Sequence, residues 1–296
     1  MKSVVSVSLG SPAGDFEVEM EAGGERFWVR RIGTDGDKDE AAALVGQYDG
    51  RVDAIGLGGV NLYYQAGPLK YPCGDGLRIK ARARKTPVVD GAGFKRTFER
   101  EVPAYLGRHG IAISQRTVLV VSALDRWALA EGFEEEGARV LVGDAAFALR
   151  LPVVFPGLAA FGVAARITMW ALGRIPIERL YPVGPEQGRN TPRFSWIWSL
   201  ADIVAGDFHL IKRYMPERLL GRWIVTTTTT AEDREMLRVS EAAGVVTMTP
   251  PLAGRTFGAN VFEAMAVAAA GHIPSWEEYR NVWRKMGLVP HVERFS

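Results

Sequence analysis

Cysteine is almost absent from this chain: Cys73 stands alone among 296 residues. That excludes an intramolecular disulfide and a zinc cluster built from thiolates. Histidine is nearly as scarce. His109, His209, His272 and His291 lie far apart, with no HExxH or similar metal-binding spacing. Neither a P-loop nor a GxSxG nucleophile elbow occurs. An excess of one charge is lacking too. The 36 Lys and Arg against 34 Asp and Glu leave a net charge of +2, which gives no case for nucleic acid or an acidic membrane as main partner. No apolar run reaches the roughly 20 residues that a bilayer span needs. The longest, residues 151–165, is interrupted by Pro152 and Pro156 and ended by Arg166. It reads as a buried helix or a helix at a subunit interface, so a homodimer is one expectation. No signal-type apolar region precedes the first strand pattern, "SVVSVSLG". Together with the lone cysteine, this makes a reducing cytoplasm the expected location.

What is present is the composition of a folded globular chain, 47% apolar and 24% charged, long enough for two domains. Residues 1–104 read as an N-terminal α/β domain. Strand patterns fall at residues 4–9, 16–20 and 27–31, joined by Gly- or Asp-bearing turns that suggest hairpins. A helix over 38–47, the strand "VDAIGLGG" and the strand "TPVVDGAG" follow. A helical pattern from 94 to 106 then carries the chain across the expected boundary near Ala104.

Residues 105–296 open with "TVLVVSA", a helix-like "LDRWALAEGFEEEGA" and "RVLVGDA". This βαβ unit of about 30 residues ends in Asp144, the layout of a dinucleotide-binding unit. An acid there bonds the ribose 2′-hydroxyl and favours NAD over NADP. The turn that would hold GxGxxG instead carries Ser122, Ala123, Leu124, Asp125 and Arg126. A helix N-terminus at this turn could seat a phosphate, with Arg126 adding charge. Asp125 would oppose the phosphate or cap the helix. Further strands are expected at "RLYPV", "ADIVAGD", "RWIVTTT" and "GVVTMTP", and helices over 230–243 and from Ser275, where Glu278 completes a capping box. Six strands with helical crossovers give a Rossmann-like, doubly wound parallel sheet.

Several residues carry candidate chemistry beside a plainer role. Gly58, Gly59 and Asn61 in "GLGGVN" either approach a ligand or make a tight turn. Asp90 ends an apolar strand before glycine, as an acid–base group or a turn aspartate. Lys70 and Lys85 are its possible partners or solvated surface residues. Thr226, Thr227 and Thr228 lie at a strand's carboxyl end, facing a nicotinamide or simply packing. Asp207 and His209 end another strand. Arg255 could take a carboxylate, and Asn260 could bind substrate or cap a helix. The basic run 78–85 reads first as a solvated face.

The segment "VVDGAGFKRTFER" resembles the NTDGxG segment of shikimate and quinate dehydrogenases. The order is also similar: Asp90-Gly91-Ala92-Gly93, a helix, then the strand from Thr117. Over nearly the full length the chain looks like bacterial proteins labelled quinate 5-dehydrogenase, with "DRW", "AGDFHLIKRYMP" and "GRTFGANVFEA" at similar places. The resemblance implies an NAD- or NADP-dependent oxidoreductase acting on a small hydroxylated carboxylic acid in an interdomain cleft, with Asp90 catalytic and Lys85 or Lys70 beside it. The chain departs from that family at its cofactor turn, which is not glycine-rich. Its serine pair is matched only by Ser6, Ser8 and Ser11, and neither lysine stands in a copy of the family's lysine loop. The alternatives are a non-catalytic ligand or nucleotide sensor on the same fold, or a transferase using another adenine nucleotide.

Overall fold

The computed structural model describes residues 1–172, 190–250 and 256–295. The N-terminal sheet is built from β1 (Lys2–Ser8), β2 (Phe16–Ala22), β3 (Glu25–Gly33), β4 (Ala54–Gly58) and β7 (Val88–Val89), in the order β2-β3-β1-β4-β7. Between these strands lie α1 (Lys38–Tyr48), the hairpin β5 (Tyr63–Ala66) and β6 (Leu69–Pro72), and α2 (Gly74–Lys80). The burial pattern explains the topology. From Val4 to Ser8 every residue of β1 is buried, as an inner parallel strand covered on both faces requires. β2 alternates half-buried and exposed positions, as an antiparallel edge strand does. The expected hairpin therefore exists between β2 and β3, while β1 pairs in parallel with β3 and β4.

The second sheet follows α3 (Ala92–Thr97) and α4 (Val102–Arg108). Its strands are β8 (Thr117–Val120), β9 (Arg139–Val142), β10 (Phe155–Pro156), β11 (Ile203–Ala205), β12 (Trp223–Thr226), β13 (Gly244–Thr247) and β14 (His291–Arg294). The helices between them are α5 (Trp127–Glu135), α6 (Asp144–Phe147), α7 (Gly157–Leu172), α8 (Ser195–Ser199), α9 (Phe208–Tyr214), α10 (Ala231–Val239), α11 (Ala259–Ala270) and α12 (Trp276–Lys285). The order is β10-β9-β8-β11-β12-β13-β14, parallel from β9 to β13 with antiparallel edges β10 and β14. The chain winds outward from β8 through β9, then returns to β11 on the other side. This is the expected doubly wound sheet, with its switch point between β8 and β11. The expected strand at "RLYPV" lies outside the described residues, as does Arg255.

Two features tie the halves together. α11 belongs to the second half by sequence but packs on β1 and β4 of the first sheet. Gly56 permits the close approach, since a Cβ there would lie 2.6 Å from the Asn260 carbonyl oxygen. α12 starts with the expected Ser275–Glu278 capping box. It buries Tyr279 and Trp283 against α3, where the Trp283 indole N–H donates to Thr97 at 2.7 Å. The apolar stretch 151–165 is only half buried: α7 turns Leu158, Phe161 and Ala165 inward and leaves Val163 and Ile167 at 60% and 77% exposure. Among the described residues, no helix is long and apolar enough to cross a membrane.

Candidate functional site

The carboxyl ends of β1, β4 and β7 and those of β11 and β12 open onto one cleft of about 340 Å³. That volume suits a small molecule. One wall carries Ser6, Ser8, Gly58 and Asn61; the other carries Asp125, Arg126, His209 and residues 227–230. The N-terminus of α11 completes the floor.

At the centre, three side chains from three parts of the fold interlock. Lys95 on α3 donates to Asp125 Oδ1 at 2.6 Å and to Asn61 Oδ1 at 3.2 Å. Asn61 Nδ2 donates to the same Asp125 oxygen at 2.7 Å. The lysine and aspartate side chains are 14% and 13% exposed. Burial pushes the Asp125 pKa up, but the charges of Lys95 and Arg126 and the hydrogen bonds from Lys95 and Asn61 outweigh it and hold the group at about 2. Asp125 is thus an anion throughout the physiological range, and it fixes Lys95 at the cleft surface. Behind it, Arg126 bonds to fully buried Glu99 and lies 3.2 Å from Asp125 Oδ2. Thr227 donates to Glu99 at 3.4 Å. Burial raises the Glu99 pKa, opposed by the Arg126 charge.

Asp90 reaches the cleft but holds backbone. Its carboxylate accepts from Leu62 N at 2.6 Å and Ala92 N at 3.2 Å, fixing the loop that carries Asn61. Gly91, at φ +93°, turns the chain beneath it, and Glu263 on α11 clamps that turn. Glu263 accepts from Gly91 N (2.6 Å), Gly93 N (2.9 Å) and the Tyr279 hydroxyl (2.8 Å). Burial, with the nearby Asp90 charge, raises the Glu263 pKa to about 7.

The expected lysine partners of Asp90 are elsewhere. Lys85 precedes β7 and Asp90 follows it, so the two lie at opposite ends of that strand; Lys85 is exposed, and its backbone N–H donates to Asp49. Lys70 stands on exposed β6, with its ammonium 5.9 Å from the Trp276 ring centroid. The lysine that does face the cleft, Lys95, was legible only as the fifth residue after Asp90, in the helix that the Asp90-Gly91-Ala92-Gly93 turn starts. Glu99 and Glu263 gave no sequence signal beyond an acid within an apolar helical pattern.

The first βα turn of the second sheet is organised inward. Asp144 accepts from Ala123 N at 2.7 Å and Leu124 N at 2.9 Å. The carboxylate expected to reach a ribose thus occupies the two amides that a diphosphate would use. Its burial raises its pKa to about 7, although the same amide bonds favour the charged form. Ser122 is also turned in, its hydroxyl accepting from Asp207 N at 3.0 Å across the switch point. Asp125 and Arg126 face the cleft, whereas Ser122, Ala123 and Leu124 do not line it. A dinucleotide diphosphate does not fit this turn as it stands, because its amides are taken and carboxylates surround it.

Of the remaining expectations, Gly58, Gly59 and Asn260 line the cleft, and Asn260 donates to Ser6 at 2.8 Å. Thr226 is fully buried and donates to the Gly206 carbonyl at 2.8 Å, which removes it from any cofactor; Thr227 and Thr228 do reach the cleft. Asp207 caps α9 by accepting from His209 N at 2.8 Å, so the acid holds the histidine's backbone. Thr229, also in the cleft wall, has a buried hydroxyl oxygen with no hydrogen-bond partner. Arg31 closes the far end, bonded to Asp15 at 2.7 Å and to Ser8 at 3.1 Å. Among the described residues, no group of three or more His, Cys, Asp or Glu is placed to hold a metal ion.

Residues 93–295 match a family described as a domain of unknown function (DUF8754), and residues 3–90 match a second domain of unknown function (DUF8753). The chain belongs to the DUF8754 family. No curated protein matches. Similar solved structures include the leucine-bound hetero-hexameric glutamate dehydrogenase from Thermus thermophilus, at 15% identity over 97% of this chain and 74% of that one, with a TM-score of 0.46. A glucose-galactose binding protein from Geobacillus stearothermophilus has 11% identity over 99% and 97%, with a TM-score of 0.37. An NAD-dependent malic enzyme from Thermotoga maritima has 13% identity over 96% and 84%, with a TM-score of 0.36. These likenesses assign neither a ligand nor a reaction to this chain.

Proposed function

We propose that the protein binds a small hydroxylated carboxylic acid of quinate or shikimate type in the cleft, and that Lys95 donates a hydrogen bond to it. The observation that carries this is the Lys95–Asp125–Asn61 cluster, joined across the two halves of the chain at the cleft surface. A cleft of this volume, walled by serine and threonine hydroxyls, suits a ligand rich in hydroxyls. Asp125 holds Nζ of Lys95 at the cleft surface, within reach of a ligand oxygen. A ligand oxygen that replaces the Asn61 contact at 3.2 Å would receive a hydrogen bond from Lys95 Nζ. Asn61, freed from that contact, still orients Asp125 through its amide group.

Oxidoreductase activity on such an acid with NAD or NADP is what the likeness to quinate and shikimate dehydrogenases adds, and it is the activity to test first. The inward first βα turn does not fit the nucleotide as it stands, so the role assigned to this cleft is to bind and orient the acid. The same turn favours a second reading, a ligand sensor on this fold that binds the acid without converting it.

Titration calorimetry with quinate, shikimate and simpler hydroxy acids, followed by absorbance at the nicotinamide band with NAD or NADP, separates these. Binding with turnover supports the enzyme, and binding without turnover supports the sensor. Absence of binding by every acid refutes the cleft assignment.

A further inference from the structure

We infer that Asp144 is a built-in occupant of the anion seat at the sheet's switch point, and that it holds this seat closed to the diphosphate of a dinucleotide. Three observations carry this. The Ala123 and Leu124 amides, which a phosphate would need, both donate to the Asp144 carboxylate. The crevice between the ends of β8 and β11 is bridged by the bond from Asp207 N to the Ser122 hydroxyl. The turn is also crowded with carboxyl groups: Glu99, Asp125, Asp144 and Asp207 lie around it, beside the cations Lys95 and Arg126. Both cations are already bonded to members of that acidic set.

A glycine-rich turn leaves its amides open because no side chain fills the space they face. Here a carboxylate from just past the next strand's end fills it, accepting from the two turn amides that precede α5. The seat is therefore complete without a ligand, and a dinucleotide gains it only by displacing Asp144. This inference does not depend on which acid enters the cleft.

The test uses the full chain and ADP-ribose, which carries the diphosphate without nicotinamide, with NAD as a second probe. Titration at pH 8 is expected to give no saturable binding to the wild type. Asp144→Ala frees two amides and removes one negative charge, so its affinity is expected to rise roughly ten- to a hundredfold. Should Asp144→Ala fail to fold, Asp144→Asn keeps the volume and one acceptor and carries the same test with a smaller gain. Hydrogen exchange gives an independent measure: the Ala123 and Leu124 amides are expected to be protected in the wild type and unchanged by ADP-ribose. Saturable wild-type binding that perturbs those two amides overturns the inference. Folded variants that bind no better than the wild type overturn it as well. Hydroxy-acid titrations on the same samples report separately on the cleft, so loss of acid binding would sink the proposed function and leave this inference standing.

Discussion

Replacing Lys95 by methionine perturbs the centre of the cleft with little change in volume. Breaking a buried ion pair by removing one partner costs about 3–5 kcal/mol, because an uncompensated charge remains. Asp125 would keep two partners, Asn61 at 2.7 Å and Arg126 at 3.2 Å, and its side chain is 13% exposed. The expected loss is therefore smaller, about 2 kcal/mol. Asp125→Asn keeps one acceptor but removes the charge, and should cost a similar amount by leaving the Lys95 ammonium without its anionic partner. The double variant removes both charges and should recover part of the loss, giving a coupling of about 1–2 kcal/mol. Urea unfolding of the four proteins measures this through midpoints and slopes. The variants should also bind the hydroxy acid roughly ten- to a hundredfold more weakly, the worth of a hydrogen bond from a charged donor. Additive single effects, with coupling under about 0.3 kcal/mol, would refute the claim that the two residues act as a pair. Acid sensitivity follows from the same pair. Asp125 is depressed to about 2, so its contribution is fully present above the unfolded carboxylate pKa and is lost as pH falls through about 2. Lys95→Met should move that loss to higher pH.

Three further outcomes are expected. Asp144 and Glu263 have folded pKa values near 7, above their unfolded values, so the folded state holds protons that the unfolded state releases between about pH 4 and 7. Their contribution to stability is fully present below that window and declines as pH rises through it, by up to about 1.4 kcal/mol per pH unit for each group; urea midpoints should show a slope that Glu263→Gln flattens, and an unchanged slope would refute this. Glu263→Ala leaves Gly91 N, Gly93 N and the Tyr279 hydroxyl without their acceptor and should cost about 3 kcal/mol in the same assay. Gly56→Ala places a Cβ 2.6 Å from the Asn260 carbonyl oxygen and should cost about 1–3 kcal/mol by pushing α11 off β4; thermal unfolding of an unaltered protein would contradict that packing.

The parts of the fold legible in the sequence are those whose signal is local. The strands β8 and β9 are short apolar runs flanked by turns, and the Ser275–Glu278 capping box marks its helix without help from distant residues. The two-residue β10 and the C-terminal β14 were not legible, because each pairs at a sheet edge through backbone that leaves little apolar pattern. The cleft was legible in outline: Gly58, Gly59, Asn61, Asp125, Arg126, Thr227, Thr228 and Asn260 all line it. The roles within it were not, because they are set by long-range partners. Asp90 spends its oxygens on the Leu62 and Ala92 amides. Asp144 turns back onto a loop 20 residues earlier in the chain. Lys95 gains its place only when α3 meets the turn after β8, a contact between segments 30 residues apart.

The central claim is that the cleft takes a hydroxylated acid through Lys95. Calorimetric titration of quinate and shikimate into the wild type and into folded Lys95→Met tests it most directly. Saturable heat with at least one acid, weakened by the substitution, is the predicted result. Silence with both acids, or equal affinity in the two proteins, would contradict it.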